Sequence, residues 1–165
     1  MENAKKRDTE YYKIYKMLLL TGMRPCDLFA IKAGDFEFED KILQFKVSKT
    51  QRTIDFPIYK ELSEFIVSEL LDINTMAKDE TVFKKFNVDR IGKTFRKILK
   101  ELELQNESYN LKTFRKTFAS YLADKGLGEG DLADLLGHTS THTTRQYYKR
   151  KNAGAIRSRS EGQKE

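Results

Sequence analysis

Between Phe36 and Pro57 the sequence carries strand chemistry, and on both sides of that stretch it carries helix chemistry. Phe36, Phe38, Ile42, Phe45 and Val47 are β-formers, Glu39-Asp40 and Lys49-Thr50-Gln51 interrupt them, and Thr53, Ile54 and Phe56 follow. Aromatic and β-branched residues suit a pleated, half-buried surface, and the polar clusters between them mark turns. The stretch predicts a small antiparallel sheet of about three strands, with Lys49 at or near the tip of its second hairpin.

The flanks repeat with helical spacing. Tyr11, Tyr15, Leu18 and Leu19 predict a helix over Asp8–Leu20, stopped by Thr21-Gly22. Pro25 suits a new helix start, because its missing N–H is not needed there, and a short segment from Cys26 to Ile31 ends at Lys32-Ala33-Gly34-Asp35. Leu62, Phe65, Ile66, Glu69 and Leu70 share one helical segment, and Asp72–Lys78 is a polar connection. Val88–Leu104 reads as a long amphipathic helix with Ile91, Phe95, Ile98, Leu99 and Leu102 on one stripe. Asn110 is the expected N-cap of the next helix, which turns Phe114, Phe118, Tyr121 and Leu122 inward and ends at Gly126. Leu132, Leu135 and Leu136 mark a helix closed by Gly137, and Thr141–Tyr148 fits a last short one. The fold class is therefore α+β and mainly α-helical, with the sheet at one edge. The 165 residues suggest one compact domain, followed by a basic tail without periodicity over 150–165.

A formal charge of +6 favours a polyanionic partner, although on charge alone a merely soluble basic protein is as good a reading. The single cysteine, Cys26, excludes an internal disulfide framework and a cysteine-based zinc cluster, and fits a reducing cytoplasm. No apolar run approaches a membrane span, and the N-terminus is charged rather than signal-like.

Three segments carry a specific pattern: Thr21-Gly22-Met23-Arg24-Pro25-Cys26-Asp27-Leu28, then Lys112-Thr113-Phe114-Arg115-Lys116-Thr117-Phe118-Ala119, then Leu136-Gly137-His138 followed by Thr143-Thr144-Arg145-Gln146-Tyr147. They resemble the three boxes of the tyrosine recombinase (phage integrase) family, T-G-x-R-x-x-[ED]-L, H-x-x-R-H-x-F-A and L-G-H…T-T-x-x-Y. Each box alone is weak, but all three in order, spanning about Asp8 to Lys149, make a strong signal. The resemblance implies the family's catalytic-domain fold and the cutting and rejoining of double-stranded DNA through a 3′-phosphotyrosyl bond, with no metal, ATP or other cofactor.

The residue types suit that chemistry. A phosphodiester transition state concentrates charge on its non-bridging oxygens, and guanidiniums grip such oxygens with paired N–H donors while staying charged at any working pH. Arg24 and Arg115 are the candidates, against a bland reading as surface arginines. The resemblance makes Tyr147 the nucleophile; a phenol with a pKa near 10 needs a base or a cationic surround to attack. Family spacing selects Tyr147, whereas the residues alone leave Tyr148 equal to it. His138 is expected to hydrogen-bond the scissile phosphate, and it also suits a helix C-terminus. His142 has no counterpart in the family's site and reads as a surface residue. Lys49 corresponds to the family's mobile lysine, which protonates the departing 5′ oxygen, with Lys46 as the alternative. Asp27 is expected to orient cationic side chains, and Lys116 and Arg145 are expected to contact DNA.

One departure stands out: Lys112 occupies the place of the family's usual histidine. It can bind phosphate as a point charge, but it is a poorer general base than histidine, which leaves the proton acceptor open. Because the boxes begin near Met1, the expectation is a catalytic domain over 1–149 without the family's N-terminal DNA-binding domain. DNA binding should then be weak and salt-sensitive. The full-length protein is expected to act as a homotetramer on DNA, whereas the isolated domain can remain monomeric. The competing readings are a type IB topoisomerase-like enzyme, a non-catalytic DNA-binding accessory protein with a degenerate site and, more weakly, a helix-turn-helix regulator.

Overall fold

The structure, a computed structural model, describes residues 9–138 together with Ser140, His142, Thr144 and Arg145. Helix α1 (Thr9–Thr21) buries Ile14, Tyr15, Met17 and Leu18. Tyr15 is the hub of its packing. Its ring lies parallel to that of Phe114, 5.6 Å away at an interplanar angle of 9°. Phe95 packs against Tyr15 at 5.6 Å and against Phe114 at 5.2 Å. The Tyr15 hydroxyl donates to the Ile91 carbonyl at 2.7 Å, so the polar end of a buried ring is satisfied. These contacts join α1 to α4 (Val88–Glu101) and α5 (Leu111–Asp124).

After α1 the chain turns at Gly22, whose φ is 62°, and enters the short helix α2 (Pro25–Leu28) with Pro at its first position. A 3-10 turn (Ala33–Asp35) then leads into the sheet. Strands β1 (Phe36–Glu37), β2 (Ile42–Lys46) and β3 (Thr53–Pro57) form an antiparallel sheet in the order β1-β2-β3. Leu43 pairs with Phe56 and Phe45 with Ile54, and all four are buried. The alternate positions face out, where the Gln44 amide donates to Asp55 at 2.8 Å. The three expected strands are present. Phe38, however, lies just beyond the two-residue β1, is 43% exposed, and stacks on Phe36.

The remainder is helical. Helix α3 (Lys60–Glu69) buries Leu62, Phe65 and Ile66. The connection after it holds a 3-10 turn over Leu71–Asn74 that buries Ile73. Helix α4 ends at Glu101, earlier than the apolar stripe suggests. Glu103 adopts φ 58°, and the Leu104 amide returns to the Leu99 carbonyl at 2.8 Å. Leu102 therefore falls outside the helix and is 47% exposed. Helix α5 begins as expected at Asn110, whose Oδ1 accepts the Lys112 amide at 2.9 Å, while Thr113 Oγ1 accepts the Asn110 amide at 3.0 Å. Phe118 is buried on α5, but Tyr121 is half exposed with the Lys125 ammonium 5.5 Å from its ring centre, so it does not turn inward. Helix α6 (Glu129–Leu135) ends at Gly137, φ 60°. Among the described residues, no helix is long and apolar enough to cross a membrane.

Candidate active site

Arg115 joins the three motif segments. One guanidinium nitrogen donates to the Gly22 carbonyl at 2.8 Å. The other donates to the Leu136 carbonyl at 2.5 Å and lies 2.9 Å from His138 Nε2. Both glycines allow this closure. A Cβ on Gly22 would stand 2.3 Å from Phe118 Cδ1, and one on Gly137 would stand 2.7 Å from Val47 Cγ2. Gly22 thus lets α1 end against α5, and Gly137 lets α6 end against the β2–β3 hairpin. Neither approach leaves space for a side chain, and both φ angles are unfavourable to one.

His138 sits between charges. Besides facing Arg115, its Nδ1 lies 3.0 Å from the hydroxyl of Thr144, which is fully buried. Burial pushes the imidazole down to about 4, and the positive charges of Arg115, Arg24 and Lys49 push the same way. The ring is neutral at pH 7. The His138 carbonyl also faces Arg52 across 3.4 Å, and Arg52 approaches Asp134 at 3.5 Å.

Arg24 precedes α2, three residues before Asp27. The Asp27 carboxylate is almost wholly buried. Its Oδ1 accepts the Ser48 amide at 2.9 Å and the Ser48 hydroxyl at 2.6 Å, and its Oδ2 lies 3.7 Å from Arg24 Nη1. Arg24 Nη1 is itself buried and has no hydrogen-bond partner among the described residues. A desolvated guanidinium N–H is costly until it meets an acceptor, and an anion in this cluster would supply one. Asp27 thereby ties the Arg24 segment to the β2–β3 turn, in which Lys49 is exposed next to Ser48. Lys46 pairs with Thr53 at the end of β2 and lines a groove with Asp27, Lys32 and Asp35.

The other expected basic residues, Lys112, Lys116 and Arg145, are exposed. Lys112 is exposed and lines a groove of about 410 Å³ between α4 and α5, with Lys93, Arg96 and Tyr109. Lys116 lines a different groove with Thr117 and Tyr121. Arg145 pairs with Glu129 at 3.5 Å. His142 is exposed, as expected. Tyr147, its competitor Tyr148 and the tail over 150–165 lie outside the described residues, as does most of the last short helix. Among the described residues, no three His, Cys, Asp or Glu side chains gather to hold a metal ion. Sequence reasoning gave no role to Ser48 and Arg52, which flank Lys49 in its family-like stretch, to Thr144, or to the carbonyls of Gly22 and Leu136. Thr144 had a signal, its place in the third motif, but a backbone acceptor has none.

The arrangement is a cationic cluster around a neutral imidazole, drawn from segments up to 120 residues apart in sequence, and it follows the three motifs. The sequence pattern of the phage integrase family matches residues 1–154. The chain belongs to the phage integrase family. Among curated relatives, this integrase-family chain is 29% identical over 160 residues to a protein of Acholeplasma phage L2 described as "Probable integrase/recombinase", covering 93% of the chain and 54% of that relative. It is 22% identical over 139 residues to a tyrosine recombinase of Pseudothermotoga lettingae, covering 82% and 48%. The chain spans about half the length of these relatives. Among solved structures, the XerA recombinase superimposes with a TM-score of 0.67 at 24% identity, over 88% of this chain and 54% of that one. The XerH site-specific recombinase, in a pre-cleavage complex with its difH substrate, gives 0.68 at 22%, over 90% and 45%. The integrase-family chain therefore has the tyrosine recombinase catalytic-domain fold, mainly helical with a three-stranded antiparallel sheet.

Proposed function

We propose that this chain is the catalytic domain of a site-specific DNA recombinase that cuts and rejoins double-stranded DNA without metal or ATP. The observation that carries the reading is the joint made by Arg115, which binds carbonyls of the first and third motifs and faces His138, beside an Arg24 whose buried Nη1 has no hydrogen-bond acceptor among the described residues. A scissile phosphate supplies that acceptor. Arg24 and Arg115 hold its non-bridging oxygens and stabilise the charge that develops there. Tyr147 Oη gives its proton to solvent and attacks phosphorus, forming the 3′-phosphotyrosyl ester as the bond to the 5′ oxygen breaks. Lys49 gives that oxygen its proton. A 5′ hydroxyl then reverses the step on the new partner strand, so the ester conserves the bond energy. Lys112 binds the DNA backbone from the α4–α5 groove as a point charge, and Lys116 and Arg145 add further contacts. The whole protein works in the cytoplasm as a tetramer on two duplexes.

The test is incubation with supercoiled plasmid at low salt in EDTA, stopped with SDS, for the parent chain, Tyr147→Phe and Tyr148→Phe. The expected result is protein covalently attached to nicked DNA, lost only in Tyr147→Phe. Loss in Tyr148→Phe alone moves the nucleophile by one residue. Absence of adduct from every version, including a chain extended by an N-terminal DNA-binding domain, overturns the reading in favour of a non-catalytic binding protein.

A further inference from the structure

We infer that Thr144 is a positioning residue: its buried hydroxyl fixes the tautomer of His138 and so decides which ring nitrogen the site presents to a phosphate. The functional part of this inference rests on the recombinase reading; the tautomer itself rests on geometry. A guanidinium has donors only. Arg115 Nη2 lies 2.9 Å from His138 Nε2, so Nε2 must offer its lone pair. The single ring proton of the neutral imidazole is then on Nδ1, 3.0 Å from Thr144 Oγ1, which accepts it. Thr144 is 0% exposed, so no water can take over that role without displacing packed atoms.

Among the described residues, the charged groups around the ring come from α5, α6, the start of α2 and the β2–β3 turn. Arg115 stands on α5, Arg24 before α2 and Lys49 in the β2–β3 turn, while the Arg52 guanidinium, shared with Asp134 of α6, faces the His138 carbonyl. Burial first, and then these cations, keep the ring neutral in the free protein. A bound phosphate reverses the balance. Its negative charge draws an Arg115 N–H away from Nε2, and Nε2 takes up a proton from hydronium, leaving water, and as an imidazolium N–H donates a hydrogen bond to a phosphate oxygen. Throughout, Nδ1–H stays on Thr144. Thr144 precedes Tyr147 by three residues, so the segment that supplies the nucleophile also orients the imidazole.

The experiment is a long-range ¹H–¹⁵N spectrum of the imidazole without DNA, recorded in a His142→Gln background. The sequence has two histidines, so His138 is then the single one. The parent is expected to show the proton on Nδ1 at neutral pH. Thr144→Val removes the acceptor at nearly the same volume and is expected to shift the proton to Nε2 or to average the two forms, whereas Thr144→Ser keeps it on Nδ1. Covalent-adduct formation is expected to fall by about tenfold or more in Thr144→Val, by analogy with the loss seen when the hydrogen-bond partner of a metal-bound histidine is removed. DNA affinity is expected to stay unchanged, and Thr144→Ser to restore the rate. A parent proton on Nε2, or an unchanged spectrum in Thr144→Val, overturns the inference. If the valine variant does not fold, Thr144→Ala replaces it, and the parent spectrum still decides by itself. Because the spectrum needs no DNA, a correct tautomer with no adduct counts against the recombinase reading alone.

Discussion

At the scale of single residues, His138 is governed by what surrounds it. Desolvation lowers its affinity for a proton first, and the guanidiniums of Arg115 and Arg24 and the ammonium of Lys49 lower it further. This has a consequence for stability. An unfolded histidine takes up a proton as pH falls through about 6.5, whereas the folded His138 waits until about 4. Between these values the unfolded state binds more protons, so the stability of the native state falls as pH drops from about 6.5 to about 4, and the contribution of His138 levels off below that. Urea midpoints of the parent and His138→Gln, compared over this range, are expected to show a parent slope that the variant lacks. Parallel curves would mean that the imidazole is freely protonated in the folded protein.

At the scale of elements, the active cluster depends on two turns that admit no side chain. Gly22 combines φ 62° with an approach that would set a Cβ 2.3 Å from Phe118. Gly22→Ala therefore adds backbone strain and overpacking together, a cost of roughly 2–5 kcal/mol. Relief of the clash must separate α1 from α5, and the Gly22 carbonyl is the acceptor for Arg115 across that same joint. Gly22→Ala is thus expected to lower the thermal midpoint and to impair adduct formation even in the molecules that remain folded. Calorimetry and the SDS trapping assay check the two effects, and a variant of parental stability would show that α1 and α5 yield more readily than their packing indicates.

At the scale of the whole molecule, the basic groups follow the folded surface rather than the sequence. Lys93, Arg96 and Lys112 come from two helices and line one groove, while Arg24, Arg115 and Lys49 come from three segments and surround His138. Affinity for DNA is expected to be salt-dependent, with log affinity falling linearly against log salt. Each phosphate contact on duplex DNA adds about 0.9 to the slope. Arg24→Ala is expected to reduce that slope by about one contact on DNA of any sequence, measured by fluorescence anisotropy from low to physiological salt. An unchanged slope would show that Arg24 does not meet a phosphate.

Local chemistry made much of this protein legible from its residues. Asn110 caps α5 because its side chain reaches a neighbouring amide, and Gly22 and Gly137 end helices because they tolerate positive φ. The strand residues of Phe36–Pro57 form the expected sheet. The three motifs marked Arg24, Arg115 and His138, and the fold brings these side chains into one cluster. Other features are invisible in sequence because they depend on what arrives from elsewhere in the chain. Apolar periodicity extended α4 to Leu104, but the Leu99 carbonyl captured the Leu104 amide and ended the helix at Glu101. Tyr121 has inward spacing, yet no element among the described residues covers it. Above all, the sequence named Arg115 and His138 without showing that the carbonyls of Gly22 and Leu136 hold one and the Thr144 hydroxyl orients the other. Hydrogen bonds over 93 and 21 residues exist only once the helices have packed, because their acceptors are set by tertiary distance and not by side-chain type.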